Sequence, residues 1–145
     1  MRQEKNITIV DGEDQYKFRL RQISAIKAEK WLIKVGVALA KAGLLNIDVE
    51  KLGVASSDAM GSITNLIAQN GFDFIGQLDP DTINELLFDL IKETAKRVTG
   101  NVISEATESE LEIFTDIRAL WQLQKEVFAI NFSSYKNEDS SKKQA

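Results

Sequence analysis

The sequence predicts a mainly α-helical protein of the α+β class, in which an N-terminal β-hairpin packs on about four helices. Two observations predict it: polar and apolar residues alternate near the N-terminus, and later stretches carry apolar residues every three or four positions. A chain of 145 residues, 43% hydrophobic and 28% charged, has the composition of one globular domain. We therefore expect a single domain over residues 1–135 and a polar, disordered tail over 136–145.

The hairpin is predicted by two alternating segments, Asn6–Val10 and Gln15–Leu20, on either side of a turn cluster at 11–14. Phe18 and Leu20 share one face of the second strand, so we expect that face to lie on the core. The cluster holds three carboxylates, which suit a divalent cation, but its spacing is not that of an EF-hand loop. Its Asp-Gly pair favours a solvated hairpin turn.

The first two helices follow the hairpin. Ser24 is expected to cap the first helix, and Gly43 is expected to end it. A second, shorter helix is predicted over about Asp58–Asn70, where apolar residues form one stripe before Gly71.

The third and fourth helices are predicted in the second half of the chain. Pro80 opens the third, whose apolar residues keep helical spacing as far as Val98. A short strand is an option near 101–105. An acidic segment beginning at Glu108 then opens a long, aromatic-rich C-terminal helix that runs to about Asn131.

The C-terminal helix carries the strongest signal of binding. Phe114, Trp121 and Phe128 recur every seven residues, which indicates one face of a helix. Either this helix is buried on more than one side, or part of its apolar surface binds another apolar helix. Phe88 lies away from the main apolar stripe of its own helix, so it is likewise either buried against a second layer or exposed for a partner. The candidate partner-binding residues are Phe88, Phe114, Ile117, Trp121, Phe128 and Phe132, together with the basic Lys27, Lys30 and Lys34 of the first helix.

The composition excludes several kinds of chemistry. A chain without histidine or cysteine has no Ser-His-Asp triad, no thiolate nucleophile and no thiolate zinc site. Ser24 and Lys27 have the Ser-x-x-Lys spacing of serine acyl-enzymes, but the companion motifs of those enzymes are missing and a helix cap accounts for Ser24. The sequence predicts a protein that is not an enzyme, with no catalytic residue, metal site or cofactor.

Charge and hydropathy also limit the kinds of partner that the protein is expected to bind. Residues 1–43 hold nine Lys/Arg against five Asp/Glu, whereas residues 44–145 hold nine against seventeen. The acidic remainder would repel nucleic acid, so we expect no nucleic-acid partner. The most apolar run, residues 31–45, contains two lysines and is shorter than the ~20 residues that span a bilayer. Without a signal-peptide pattern either, we expect no membrane partner and a cytoplasmic location.

The two ends of the chain resemble a known family. The extended segment Ile7–Ile23 passes directly into an alanine-rich helix, and the closing segment Leu120–Tyr135 contains the pattern Val127-x-x-x-Asn131-Phe132. These segments resemble the tail assembly chaperones of long-tailed bacteriophages and prophages. Residues 44–78 match only as a generic helical insert.

The resemblance implies a non-catalytic protein of the host bacterial cytoplasm. Such a chaperone binds the tape measure protein and keeps it soluble while the tail tube forms, and it is not expected in the finished virion. A longer, frameshifted form would recruit the tail tube protein. The alternative is a structural tail-completion or connector subunit that forms a ring in the virion. The sequence leaves open whether the protein forms a homo-oligomer.

Overall fold

The structure, a computed structural model, describes residues 2–43, 61, 63, 65 and 76–144, with side chains described as far as residue 133. It has the α+β class that the sequence predicts, with the N-terminal hairpin and four helices among the described residues. The predicted helix over Asp58–Asn70 lies mostly outside them, although Gly61, Ile63 and Asn65 are helical. The elements are β1 (Glu4–Asp11), β2 (Asp14–Arg21), α1 (Ala25–Lys41), α2 (Pro80–Thr94), β3 (Ala95–Thr99), β4 (Val102–Glu105), α3 (Glu108–Leu111) and α4 (Ile117–Gln144).

The four strands form one antiparallel sheet in the order β1-β2-β3-β4. Gly12, with φ +65°, makes the turn between β1 and β2, so the predicted hairpin is confirmed. On the inner face of the sheet, Phe18 lies opposite Ile7, and Leu20 lies opposite Ala95. Phe18, Leu20 and Ala95 are buried, which confirms the predicted core face of β2.

The second hairpin corrects the predicted third helix. α2 ends at Thr94 rather than at Val98, and β3 begins at the next residue, Ala95, with no loop between them. The spacing of Ala95 and Val98 is that of one helix face, whereas in a strand these two residues lie on opposite faces. Pairing with β2 overrides the helical pattern. Gly100, with φ +61°, then turns the chain into β4.

The acidic segment is also corrected, because it does not continue into one long helix. α3 covers only Glu108–Leu111, and α4 starts afresh at Ile117. The backbone N–H groups of Thr115 and Asp116 donate to the carboxylate of Asp11, which holds this stretch outside a helix. The backbone of α4 runs on to Gln144, beyond the end near Asn131 that the sequence predicts.

The chain divides into two compact units, which are described separately. The first comprises Met1–Ile23 and Leu87–Asn131, and the second comprises Ser24–Leu86 and Phe132–Ala145. The single domain over 1–135 and the disordered tail over 136–145 stay predictions. Large buried side chains of the first unit are Ile9, Phe18, Leu20, Leu90, Ile91, Leu123 and Val127.

In the second unit, α1 has the cap and the apolar stripe that the sequence predicts. The Oγ of Ser24 accepts the backbone N–H of Lys27 at 3.3 Å, so Ser24 is the N-cap. Trp31 is buried, and its Nε1 donates to the carbonyl of Leu86 at 2.9 Å. Its ring stacks on Phe132 with centroids 5.3 Å apart. Among the described residues, no helix is both long enough and apolar enough to cross a membrane.

Candidate partner-binding surface

The start of α4 is held in place by polar contacts on both sides. Asp116 accepts the backbone N–H of Arg118 at 2.9 Å, so its side chain caps the first turn. The guanidinium of Arg118 also pairs with Asp116 at 2.8 Å. The hydrogen bond from the Arg118 side chain is the main reason that the pKa of Asp116 lies below its ordinary value. These contacts fix where the first turns of α4 begin.

Two large apolar side chains are exposed on those first turns. Ile117 is 60% exposed and Trp121 is 56% exposed. Because they are four residues apart on one helix, they lie side by side on the same face. The buried Ala119 and Leu123 occupy other positions of the same turns. We call Ile117 and Trp121 the exposed apolar pair; next along its face comes the exposed Lys125.

The seven-residue aromatic repeat does not form one continuous exposed stripe. Phe114 lies before α4, where its ring meets the edge of Tyr16 at a centroid distance of 5.4 Å. Trp121 and Phe128 do share a helix face, since seven residues are nearly two full turns. Phe128 is buried, however, and Trp121 is exposed. The repeat therefore predicts that these residues share a helix face, but it does not predict at which point along the helix that face becomes buried.

The remaining candidates are divided between exposed and less exposed positions. Phe88 on α2 is half-buried, and Phe132 is buried. Lys27, Lys30 and Lys34 are all exposed on α1, in the second unit. The structure adds Ile26, 70% exposed on the same helix, which sequence spacing alone does not single out.

A groove in the second unit was also beyond sequence reasoning. It has a volume of about 640 Å³ and lies between the C-terminal half of α1 and the start of α2. Lysines line one wall, carboxylates line the other, and apolar side chains lie between them. No spacing within either helix could indicate it, because the groove exists only where the two helices meet. Its charged lining residues are Lys34 and Lys41 from α1 with Asp79 and Glu85 from the α2 side.

Comparison with known proteins identifies the family. No curated protein and no solved structure matches the chain. A family model described as "Phage tail assembly chaperone protein, TAC" matches residues 14–135, which are 122 of the 145 residues. The resemblance seen at the two ends of the sequence is thereby confirmed and extended across the middle of the chain. The family indicates an assembly-stage, non-catalytic role in which the protein interacts with phage tail proteins and is not a virion component. The chain belongs to the phage tail assembly chaperone family.

Proposed function

We propose that this protein binds the tape measure protein in the cytoplasm of the host bacterium and keeps it soluble while the tail tube assembles. The observation that carries the proposal is the exposed apolar pair, Ile117 and Trp121, at the capped start of α4. Family membership supports a chaperone role in tail assembly. The exposed apolar pair supplies a surface on which an apolar client can be held.

The pair suits a helical client for physical reasons. Tryptophan buries roughly 150–250 Å² and is among the residues that most often dominate binding energy at interfaces. Two apolar side chains one turn apart match the apolar stripe of an amphipathic helix, which repeats at the same spacing. The cap at Asp116 fixes the backbone of the first turn before binding, so little backbone freedom is lost on association.

The exposed lysines of α1 have a separate part in the proposal. Lys27, Lys30 and Lys34 would attract acidic segments of the client and raise the rate of encounter. Such steering is screened by salt, so it predicts an association rate that falls as ionic strength rises. A longer, frameshifted form would bring the tail tube protein to the same complex.

The test is co-expression with the tape measure protein, measuring its soluble fraction and its co-purification. Trp121→Ala removes the larger member of the pair, and Gln122→Ala is the matched control because Gln122 is exposed on the same turn. We expect wild type and the control to solubilise and retain the client, whereas Trp121→Ala loses both effects. Circular dichroism confirms that the variants are folded. Equal client yields with and without the wild-type chain would overturn the proposal.

The alternative role is a ring-forming connector or completion subunit. The protein composition of the virion distinguishes this role from that of a chaperone. Mass spectrometry of purified particles should find this chain absent. Its presence in fixed proportion to other tail proteins would favour the structural role.

A further inference from the structure

The outer face of the sheet in the first unit is unusually basic. Register places Arg19 of β2 directly opposite Lys96 of β3, and Lys17 and Arg21 lie two residues to either side of Arg19 on the same face. All four side chains are exposed. Like charges directly opposite each other in a sheet are destabilising. A sheet that keeps this arrangement is better suited to contact with an acidic partner than to standing alone.

The neighbouring strands neutralise this face only in part. Glu4 of β1 contacts Arg21 at 3.4 Å, and Glu105 of β4 lies opposite Lys96 in the register. Within the described strands, four cations therefore face two carboxylates. In the adjacent row, Val98 and the 47% exposed Ile103 lie opposite each other and give the basic face an apolar margin.

The same unit carries an acidic element on the other side of the sheet. α3 exposes Glu108 and Glu110, and its C-cap residue Glu112 is also exposed, while Leu111 is buried. Glu110 contacts Arg97 at 3.6 Å, and Arg97 lies opposite Phe18 on the inner, core-facing side. The first unit thus presents positive charge on one side of its sheet and negative charge on the opposite side.

We propose that a second copy of this chain docks by its α3 onto the outer sheet face of the first. The observation that selects a second copy is charge complementarity: the chain itself, with a net charge of −4, holds both the basic face and a matching acidic helix. Because the two surfaces differ, the contact is head-to-tail, so copies add in rings or open rows rather than stopping at symmetric pairs. Neither surface includes Ile117 or Trp121, and the docking goes beyond the proposed client binding.

The experiment is sedimentation velocity on the full chain across protein concentration and salt. A sheet variant, Arg19→Gln with Lys96→Gln, and a helix variant, Glu108→Gln with Glu112→Gln, each remove one half of the contact. Wild type should associate at about 0.01 M salt and dissociate at about 1 M, where the Debye length falls from roughly 30 Å to roughly 3 Å. Each variant alone should associate at least about tenfold more weakly.

Mixing the two variants gives the decisive readout. The α3 of the sheet variant still matches the sheet face of the helix variant, so an equimolar mixture should form a dimer and stop there. Lys27→Gln with Lys30→Gln removes equal charge from α1 and should associate as wild type does. The sheet variant removes a destabilising like-charge pair, so it should unfold at the wild-type temperature or above it, and unfolding does not explain its loss of association.

Three outcomes would overturn the proposal: a wild-type chain that is monomeric at low salt, association that both variants retain, or a mixture that stays monomeric. Client binding is scored separately by co-purification of the tape measure protein with the sheet variant. Retained co-purification together with weakened association is the result that both proposals expect. Wild-type association of the sheet variant would overturn the docking proposal whether or not the client co-purifies, and failure of the wild-type chain to bind the client would overturn the proposed function alone.

Discussion

Asp11, the last residue of β1, holds Thr115 at the entrance to α4 from 104 positions away in the chain. Its carboxylate accepts the backbone N–H groups of Thr115 and Asp116, each at 2.9 Å, and the Thr115 hydroxyl at 3.1 Å. Asp11 is only 2% exposed. The hairpin therefore determines where the helix that bears Trp121 begins.

The first prediction is an acid dependence of stability that comes from Asp11. The pKa of Asp11 lies below its ordinary value of 3.8, chiefly because of the backbone hydrogen bond from Thr115. A group with a lowered folded pKa stabilises the protein above its ordinary pKa, and that contribution is lost as pH falls through the folded pKa. Asp11→Asn should therefore lower Tm at neutral pH and reduce the loss of Tm on acidification.

Thermal unfolding followed by circular dichroism from about pH 7 to about pH 3 measures this effect. Asp14→Asn is the matched control, since Asp14 is exposed at the far side of the same turn. A Tm curve for Asp11→Asn that runs parallel to wild type throughout would contradict the prediction.

The second prediction concerns Asn131, a buried amide of the first unit. Its Oδ1 accepts the backbone N–H of Ile23 at 2.9 Å, and its Nδ2 donates to Thr94 at 2.9 Å and to the carbonyl of Val127 at 3.0 Å. Asn131→Ala leaves the N–H of Ile23 without this acceptor and should lower the free energy of unfolding by about 1–3 kcal/mol. Urea unfolding measures the change, and a variant as stable as wild type would contradict the role given to the amide.

The third prediction separates two aromatic residues on the same face of α4. Trp121→Ala should change the free energy of unfolding by no more than about 0.5 kcal/mol, because the ring is exposed. Phe128→Ala should lower it by about 3–5 kcal/mol, because the ring is buried. Denaturant unfolding of the two variants in parallel gives the comparison. Equal losses would show that Trp121 is part of the core and not a binding surface.

The fourth prediction tests the turn that corrects the predicted third helix. Gly100 has φ +61°, so Gly100→Ala should lower the free energy of unfolding by about 1–2 kcal/mol. Gly100→Asn should cost less, since asparagine tolerates this conformation better. Gly76→Ala is the matched control, because a Cβ there meets open space with no positive φ. If all three variants have the same free energy of unfolding, the turn at Gly100 does not constrain β3 and β4.

Local patterns predicted the elements whose causes are local. Alternation around Gly12 predicted the first hairpin, and Ser24 predicted the start of α1. In the second hairpin, the short strand offered near 101–105 is confirmed by β4. β3 was missed because Ala95 and Val98 have helical spacing, and only pairing with β2 makes this stretch a strand. The break before α4 was missed because its cause, Asp11, lies at the opposite end of the sequence.

The candidate surface shows the same limit. Spacing placed Trp121 and Phe128 on one face of a helix, but their different exposure depends on what the rest of the fold covers. The sequence therefore named the exposed apolar pair among its candidates and could not separate it from its buried neighbours.

The direct junction of α2 and β3 at Thr94 and Ala95 makes length, rather than composition, the sensitive property of this stretch. One inserted residue would rotate every side chain of α2 by about 100° about the helix axis, or would move each residue of β3 to the other side of the sheet. A substitution at this junction leaves the facing of the other residues unchanged. A single-residue insertion or deletion changes it, because there is no loop between α2 and β3 to accommodate the change in length. The junction therefore couples the two elements: the direction in which the side chains of α2 face determines which side of the sheet each residue of β3 faces.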